Sequence, residues 1–592
     1  MRKIKKYLKH GKNFIYSKNK TILLKQLAIL IKDKGLKNGI QSFLHEQSIS
    51  CVKEENYSSP SRTDEEIISV LSSFPIRIFT TRHCHYIAKY LASLLEKFNI
   101  YSEIVFSIDY DESKYLYVVI SPNAIEQMPT HYIAYQVEQT ISSRWLNDSY
   151  LNKLKSAYAV FDYSMYNISY WEASGFSYKK LYYLPINIIN GIENKNTESD
   201  YDYDVLFYGD PNCPRRKLFL DEISKKFNIK IAVEVYNEEL YDLIRKSKVV
   251  INVHYYENAL LETTRLYELL SLGKVIISEV GVDQSEYSTL SSLIDFVDIG
   301  DMESMIDRIK YYVDDDNELS SKILYNETKA AELVGHEFYL GRFLLNFNRI
   351  TFESFVNIIN TDIKLHSDTV VLSIPECVAR KKYINQIINN DLSNFGVTFF
   401  DGLRKNIGYV GCGLSYKFLS IMALKQNMDY LIVFEDDITL GEDSVDRINR
   451  VINFAKNKLN NDKWDIISGF MAEFNDEYKI NNIFIDNDVT YIETDKMVST
   501  VFNIYNKSAL KLISNWDHSD YDRYNQIDQY LKKQSLKVLL VFPFLVGHNE
   551  NLDSAVWEFS NAEYNKLINP TIDYIEKKIS LFSGVEIAKK TN

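Results

Sequence analysis

From Ile76 onward, short apolar runs alternate with helix-length amphipathic stretches, and that alternation leaves room for little besides layered α/β units. The first series predicts strands at Ile76–Phe79, Glu103–Phe106, Tyr115–Ile120, Ile133–Tyr135 and Ala159–Phe161, with helices over His85–Phe98 and Asn147–Ser156. A polar, acidic gap from Glu193 to Asp204 interrupts it. A second series places strands at Val205–Tyr208, Ile231–Val235, Val249–Val253 and Val275–Ser278, separated by helices over Arg215–Phe227, Glu238–Lys246 and Glu262–Leu272. A third opens at Thr369, with strands Val370–Ile374, Gly396–Phe400, Tyr430–Phe434 and Trp464–Ser468. Its helices fall near Tyr383–Asn390 and over Ser415–Gln426 and Ser444–Leu459. Strands alternating with helices indicate parallel sheets. Two successive doubly wound units of similar size imply two lobes with a cleft between them.

At 592 residues the chain is too long for one hydrophobic core, and 46% hydrophobic with 25% charged residues describes a globular protein. Its five cysteines (Cys51, Cys84, Cys213, Cys377, Cys412) are scattered, which excludes a disulfide framework and fits a reducing cytoplasm. No stretch approaches the roughly 20 apolar residues of a membrane span. The run Val538 to Val546 contains Pro543 and reads as a buried strand, and no secretory signal is expected. His83-Cys84-His85 reads as a loop lining the inter-lobe cleft rather than a zinc site, because neighbouring side chains in a loop point apart.

Charge is unevenly placed. Residues 1–38 hold twelve Lys/Arg against the single acid Asp33; the whole chain is −12, so the remainder carries −23. An acidic body does not suit nucleic acid. A basic arm interleaved with Ile22, Leu23, Leu24, Leu27, Leu30 and Ile31 suits the anionic face of a membrane, the alternative being a solvated basic helix on the protein surface. The expected location is therefore cytoplasmic, peripheral to the inner face of the cytoplasmic membrane.

The sharpest local feature is Tyr430-Leu431-Ile432-Val433-Phe434 running into Glu435-Asp436-Asp437. The apolar run is a buried strand, so the acids emerge at its carboxyl end, where open α/β sheets bind ligands. Adjacent carboxylates repel unless a cation lies between them. Mn²⁺ or Mg²⁺ bridging a diphosphate would resolve the repulsion and stabilise a departing nucleoside diphosphate, the alternative being a solvated acidic turn after a strand. Upstream, Gly408-Tyr409-Val410-Gly411-Cys412-Gly413-Leu414-Ser415 opens a helix, with glycines that permit close backbone approach and an N-terminus that favours anions.

Together these segments resemble glycosyltransferase family 25, the lipooligosaccharide and collagen galactosyltransferase group. The resemblance covers roughly residues 369–560. It is carried by Ile374-Pro375-Glu376 with Arg380, the glycine-rich and acidic segments above, Ser499-Thr500-Val501-Phe502-Asn503-Ile504-Tyr505, Ile527-Asp528-Gln529-Tyr530-Leu531 and Phe542-Pro543-Phe544-Leu545. Many members carry His where this chain has Tyr416. The resemblance implies a metal-dependent inverting transferase of GT-A type fold using UDP-galactose or a related donor. Asp436 and Asp437 would then hold metal and diphosphate, with Glu435 a ligand or a partner that orients the ligands. Gly411 would approach the donor, and Asp528 would be the base that deprotonates the acceptor hydroxyl. His548, after a buried strand, is a further metal-ligand candidate.

The two-lobed part, about residues 70–345, resembles GT-B glycosyltransferases of the CgeB-like and family 4-like group. The carrying residues are Tyr135-Gln136-Val137-Glu138-Gln139, Phe161-Asp162-Tyr163-Ser164 with Asn167, Tyr183-Leu184-Pro185, Tyr208-Gly209 with Arg215-Arg216, and Asn252-Val253-His254-Tyr255. Glu262-Thr263-Thr264-Arg265-Leu266-Tyr267-Glu268-Leu269-Leu270 and Gly273-Lys274 complete the set. That resemblance implies metal-free donor binding, with Glu268 on the ribose and Arg265 and Arg216 on the diphosphate. Family 4 enzymes usually space their two glutamates eight apart, whereas Glu262 and Glu268 are six apart.

The expected fold is thus α/β, a GT-B type pair of Rossmann-like lobes followed by a GT-A type domain. The expected divisions are 1–68 basic helical arm, 69–195 first lobe, 196–345 donor lobe, 346–368 linker, 369–560 family 25-like domain and 561–592 tail. The leading functional expectation is a bifunctional bacterial glycosyltransferase taking sugars from nucleotide-sugar donors to a surface glycan such as lipopolysaccharide or capsule. One rival is a single family 25-like activity with a GT-B half that holds acceptor. The other is a non-catalytic glycan-binding scaffold, against which the intact acid cluster speaks.

Overall fold

A computed structural model describes residues 63–189, 201–330, 332–333, 336–359, 364–457, 463–557 and 559–590. The basic arm with its expected membrane contact, Cys51 and most of the acidic gap lie outside the described residues. Among the described residues no helix is long and apolar enough to cross a membrane.

The first lobe is a six-stranded sheet: β1 (Ile76–Phe79), β2 (Ser102–Val105), β3 (Leu116–Ile120), β4 (Tyr132–Gln136), β5 (Val160–Asp162) and β6 (Leu181–Tyr183). Its order is β2-β1-β3-β4-β5-β6, parallel throughout. Every residue of β3 and β4 is buried, as expected of strands covered on both faces. The His85–Lys97 helix covers one face with Tyr86, Ile87, Tyr90, Leu91, Leu94 and Leu95, apolar at helical spacing. The second lobe repeats the scheme with β7 (Tyr203–Tyr208), β8 (Ile229–Ala232), β9 (Ser247–Asn252), β10 (Val275–Glu279) and β11 (Asp295–Val297). Its order is β11-β10-β9-β7-β8, again parallel.

The third unit departs from the expected parallel sheet. Its eight strands are β12 (Thr369–Ser373), β13 (Thr398–Asp401), β14 (Tyr430–Glu435), β16 (Ile466–Ser468), β17 (Ile480–Asp486), β18 (Val489–Thr494), β19 (Phe502–Asn506) and β20 (Val538–Phe542). They run β13-β12-β14-β19-β16-β20-β18-β17. β12, β13 and β14 are parallel, but β19 inserts antiparallel between β14 and β16. β17 and β18 form a hairpin on Asn487-Asp488, both at positive φ (47° and 63°), a backbone those residue types tolerate. A short ribbon pairs β15 (Ile438–Thr439) with β21 (Gly547–His548) beside the acids.

The three units share one continuous apolar cluster that runs from Val70 in the first lobe to Ile575. The helix Glu337–Asn346 lies at the junction, so the expected boundary at 345 falls inside it. Arg342 there is 1% exposed and forks onto Glu376, equally buried, through two 3.0 Å bonds, while its Nε donates to Gly402 O. Glu376 also accepts the Tyr183 N–H of the first lobe at 3.0 Å. Arg404 donates to three first-lobe carbonyls, those of Leu181, Tyr178 and Lys179. The expected linker 346–368 carries a packed helix, Phe352–Ile359, with Phe355 fully buried. The expected division at 68 cuts the Asp64–Ser73 helix, whose Thr63 and Glu66 form a reciprocal capping box.

Candidate functional site

β14 delivers Glu435 at its last position and Asp436 and Asp437 just beyond. β12, its parallel neighbour, ends at Ser373, whose Oγ donates to Asp436 Oδ2 at 2.7 Å. Arg380, in the first turn of the Val378–Ile387 helix, donates Nε and Nη2 to Asp436 Oδ1 at 2.8 and 2.6 Å. The same Nη2 lies 2.9 Å from Asp437 Oδ2, which also accepts Asn561 Nδ2 at 2.9 Å. Asp437 Oδ1 is buried and has no hydrogen-bond partner among the described residues. The repulsion between adjacent carboxylates is therefore answered first by a guanidinium, a role that sequence reasoning did not give to Arg380. Asn561 lay beyond the expected domain end at 560, yet it completes the site.

These groups line a cavity of about 580 Å³, a size suited to a drug-sized or nucleotide-sized ligand. Among the described residues, no group of three or more His, Cys, Asp or Glu side chains is arranged to hold a metal. Small hard cations at diphosphate sites rest on one or two carboxylates and draw their other ligands from phosphate and water. One open oxygen on Asp437, beside Asp436, fits that pattern and not an all-protein cage.

Burial raises the Glu435 carboxyl to about 7, with the charges of Asp437 and Asp436 adding to the shift. Its Oε1 accepts the Tyr416 hydroxyl at 3.3 Å. A carboxyl whose folded value lies above its unfolded one binds protons more tightly when folded. Stability then falls as pH rises from the unfolded value of 4.5 to about 7 and is level beyond. Glu435→Gln should consequently raise the melting temperature at pH 8 by about 2 °C or more, the displacement of roughly 1 kcal/mol in a domain this large. At pH 4 the two proteins should melt together. Calorimetry at both pH values checks this, and a lower melting point at pH 8 contradicts it.

Asp528, in the first turn of the Ile527–Lys532 helix, lines the same cavity, and burial raises its carboxyl as well. One of its oxygens accepts the Gln529 N–H at 2.7 Å. His548 also lines the cavity, with Nε2 bonded to Asn561 O at 2.9 Å. The glycine-rich segment opens a helix, as expected, but that helix runs Gly408–Lys425 rather than starting at Ser415. Its glycines disguise that start, being poor helix formers. A Cβ on Gly411 would sit 2.9 Å from Lys405 N, and one on Gly413 would sit 2.4 Å from the Trp516 ring. The close approach ascribed to a diphosphate is here made to backbone and an indole, although Gly411 does line the cavity.

In the second lobe, Glu262 precedes the Thr263–Ser271 helix and gathers three partners: Arg216 at 3.1 Å, Arg265 at 3.3 Å and His254 Nδ1 at 3.5 Å. Burial opposes ionisation, but Arg265, His254 and Arg216 outweigh it and hold Glu262 well below the usual carboxylate range. Arg216 is 4% exposed and also donates to Val253 O and Asp210 O. That position is a scaffolding one rather than the open phosphate contact expected. Arg265 is less enclosed; it bonds Asn252 Oδ1 at 3.0 Å and passes close to Gly209, where a Cβ would sit 3.1 Å from its Nη2. Glu268 accepts the Tyr241 hydroxyl at 3.2 Å, and burial lifts it to about 7. The lobes meet here: His85 Nδ1 lies 2.6 Å from Asn237 Oδ1, and Gln139 accepts the Leu260 N–H at 2.9 Å. His83-Cys84-His85 thus forms a short turn and helix start on the inter-lobe face.

No family model matches the chain, and no curated protein matches it in sequence. Among solved structures, it is similar to that of TarM, at 11% identity and a TM-score of 0.29, covering 41% of this chain and 56% of TarM. The chain thus spans little more than half of TarM's length. The T4 phage BGT complex with UDP and Mn²⁺ is 13% identical over 48% of this chain and 99% of BGT, with a TM-score of 0.33. The apo lipopolysaccharide outer core galactosyltransferase WaaB is 11% identical over 43% of this chain and 98% of its own, with a TM-score of 0.25.

Proposed function

We propose that the chain is a bifunctional glycosyltransferase, with a GT-A type, inverting, nucleotide-sugar-dependent site in the C-terminal unit and a GT-B type site between the two parallel lobes. One observation carries the reading: the paired carboxylates at the end of β14, braced by Arg380, Ser373 and Asn561, with an unsatisfied Asp437 oxygen in the wall of a nucleotide-sized cavity. A divalent ion carried in by the donor would rest on Asp437 with Asp436 beside it and would stabilise charge on the departing diphosphate. Arg380 adds a fixed positive charge to that end of the cavity. Asp528 takes the acceptor's hydroxyl proton as the oxygen attacks the anomeric carbon and the diphosphate leaves. Burial raises the Asp528 carboxyl, which makes its carboxylate a stronger proton acceptor than a free one. UDP-galactose is the donor to try first, with a bacterial surface glycan as acceptor.

In the lobed half, Glu268 is the ribose acceptor and Arg265 the phosphate contact. Glu268→Ala should weaken donor binding by roughly 1.5–3 kcal/mol, about ten- to a hundredfold. Titration of the full chain with UDP-sugars, in an Asp437→Ala background that silences the other site, measures it. Unchanged affinity would move that donor site elsewhere. A specific observation favours the rival in which this half only holds acceptor: Glu262 already neutralises both Arg216 and Arg265. Hydrolysis of UDP-sugars by full-length Asp437→Ala separates the two readings. Residual, chelator-resistant hydrolysis supports two activities, and none supports one. Isolated halves are poor tools for this, because cutting the chain strands the buried Glu376.

A further inference from the structure

At the mouth of the acid-lined cavity, two aromatic rings stack and stay in contact with solvent. Tyr409, in the first turn of the Gly408–Lys425 helix, lies with its ring centroid 5.7 Å from that of Trp557, at an interplanar angle of 24°. Both line the cavity that holds Asp437 and Asp528. Trp171, Trp464 and Trp516 are fully buried, whereas Trp557 is 39% exposed. Phe559 (38%) and Tyr521 (49%) are also exposed nearby. Tyr521 is tied to the platform by its carbonyl, which accepts the Tyr409 hydroxyl at 2.6 Å. Clustered exposed aromatics beside a cavity mark an interaction site more often than a core that failed to close.

The platform is also braced from behind. Gly408 packs so tightly on the loop before Trp557 that a Cβ there would sit 2.6 Å from Val556 O. The loop itself is closed by Ser554 N–H donating to Phe559 O and by Trp557 N–H donating to Ser554 Oγ. Tyr178 of the first lobe donates its hydroxyl to Ala555 O at 2.9 Å, and Arg380 Nη1 donates to Asp553 O at 2.8 Å. Rings fixed in place before binding lose little freedom when a ligand arrives. Arg380 joins this loop to Asp436 and Asp437, so the platform is registered against the acids.

A pyranose has the matching chemistry: a face of C–H groups that lies flat on an aromatic ring and a rim of hydroxyls. Exposed carboxylates at Asp520 and Asp522, either side of Tyr521, can take those hydroxyls. We propose that the Tyr409–Trp557 pair is a pyranose-binding platform that seats the acceptor sugar at the mouth of the cavity. This rests on the C-terminal unit being a glycosyl-transfer site. It adds where the acceptor lies.

The test uses the full chain and has two readouts. First, tryptophan fluorescence is titrated with methyl β-galactopyranoside, methyl β-glucopyranoside and lactose in a Trp145→Phe background, which removes the other exposed indole. A saturable change in the millimolar range is expected, the strength of about 4 kcal/mol that 1 mM corresponds to. Trp557→Ala should abolish the change, and Tyr409→Ala should weaken it at least about tenfold. Second, acceptor-free hydrolysis of a panel of UDP-sugars by the parent reads the transfer site independently of the platform. Hydrolysis without any response to pyranosides overturns the platform while leaving the transfer site standing. A saturable response without hydrolysis leaves the platform standing and removes the transfer reading. If anionic phosphatidylglycerol vesicles change the Trp557 signal and pyranosides do not, the rings belong to a lipid contact and the proposal falls.

Discussion

Asp437→Ala should lower C-terminal transfer by about 10²–10³-fold or more, the loss typical when one preorganised electrostatic contact to developing charge is removed. The argument is local. Asp437 is held by Arg380 and Asn561 through one oxygen, and its other oxygen is unsatisfied. Removing the carboxylate takes away that open ligand position and turns Arg380 wholly onto Asp436. The fold should persist, because Asp436 keeps both Arg380 and Ser373. Excess EDTA should reproduce the loss in the parent and change nothing further in the variant. Full activity in EDTA would show that Arg380, not a metal, serves the diphosphate.

Arg342→Met should destabilise the chain by about 3–5 kcal/mol, the usual result of stranding one partner of a buried ion pair. Glu376 would keep only Arg404, 3.7 Å away, and the Tyr183 N–H. Removing both charges, with Arg342→Met and Glu376→Leu together, should recover much of that loss, since well-packed apolar groups often replace a buried pair at little cost. Denaturant midpoints of the two single variants and the double measure the coupling. Additive losses would mean that the pair is not energetically linked.

Most strands were legible because strands covered on both faces bury whole runs of apolar residues, as in Leu116–Ile120 and Leu431–Phe434. Strand direction was not legible, for an apolar run reads the same either way, and so the antiparallel insertion of β19 was missed. The β17–β18 hairpin escaped because Ile480–Asp486 mixes Asn and Asp among its apolar residues. At the site, the acids declared themselves by following a buried strand. Their partners did not, since Arg380 and Asn561 reach them across 56 and 124 residues of chain. Glu376 sat in a motif attributed to transfer chemistry, yet it belongs to the junction between units. The short spacing between Glu262 and Glu268 was a fair warning that Glu262 holds cations in place.

The junction formed by Arg342, Glu376 and Arg404 bears on how such a chain can be inherited and recombined. A C-terminal unit moved onto another scaffold would carry Glu376 and Arg404 but leave behind Arg342 and the Leu181, Tyr178 and Lys179 carbonyls. The graft would begin with a stranded charge in an apolar seam. Changing what such a chain binds therefore favours small replacements within the cavity over trading whole modules, and any successful chimera should bring the Glu337–Asn346 helix along with its new C-terminal half.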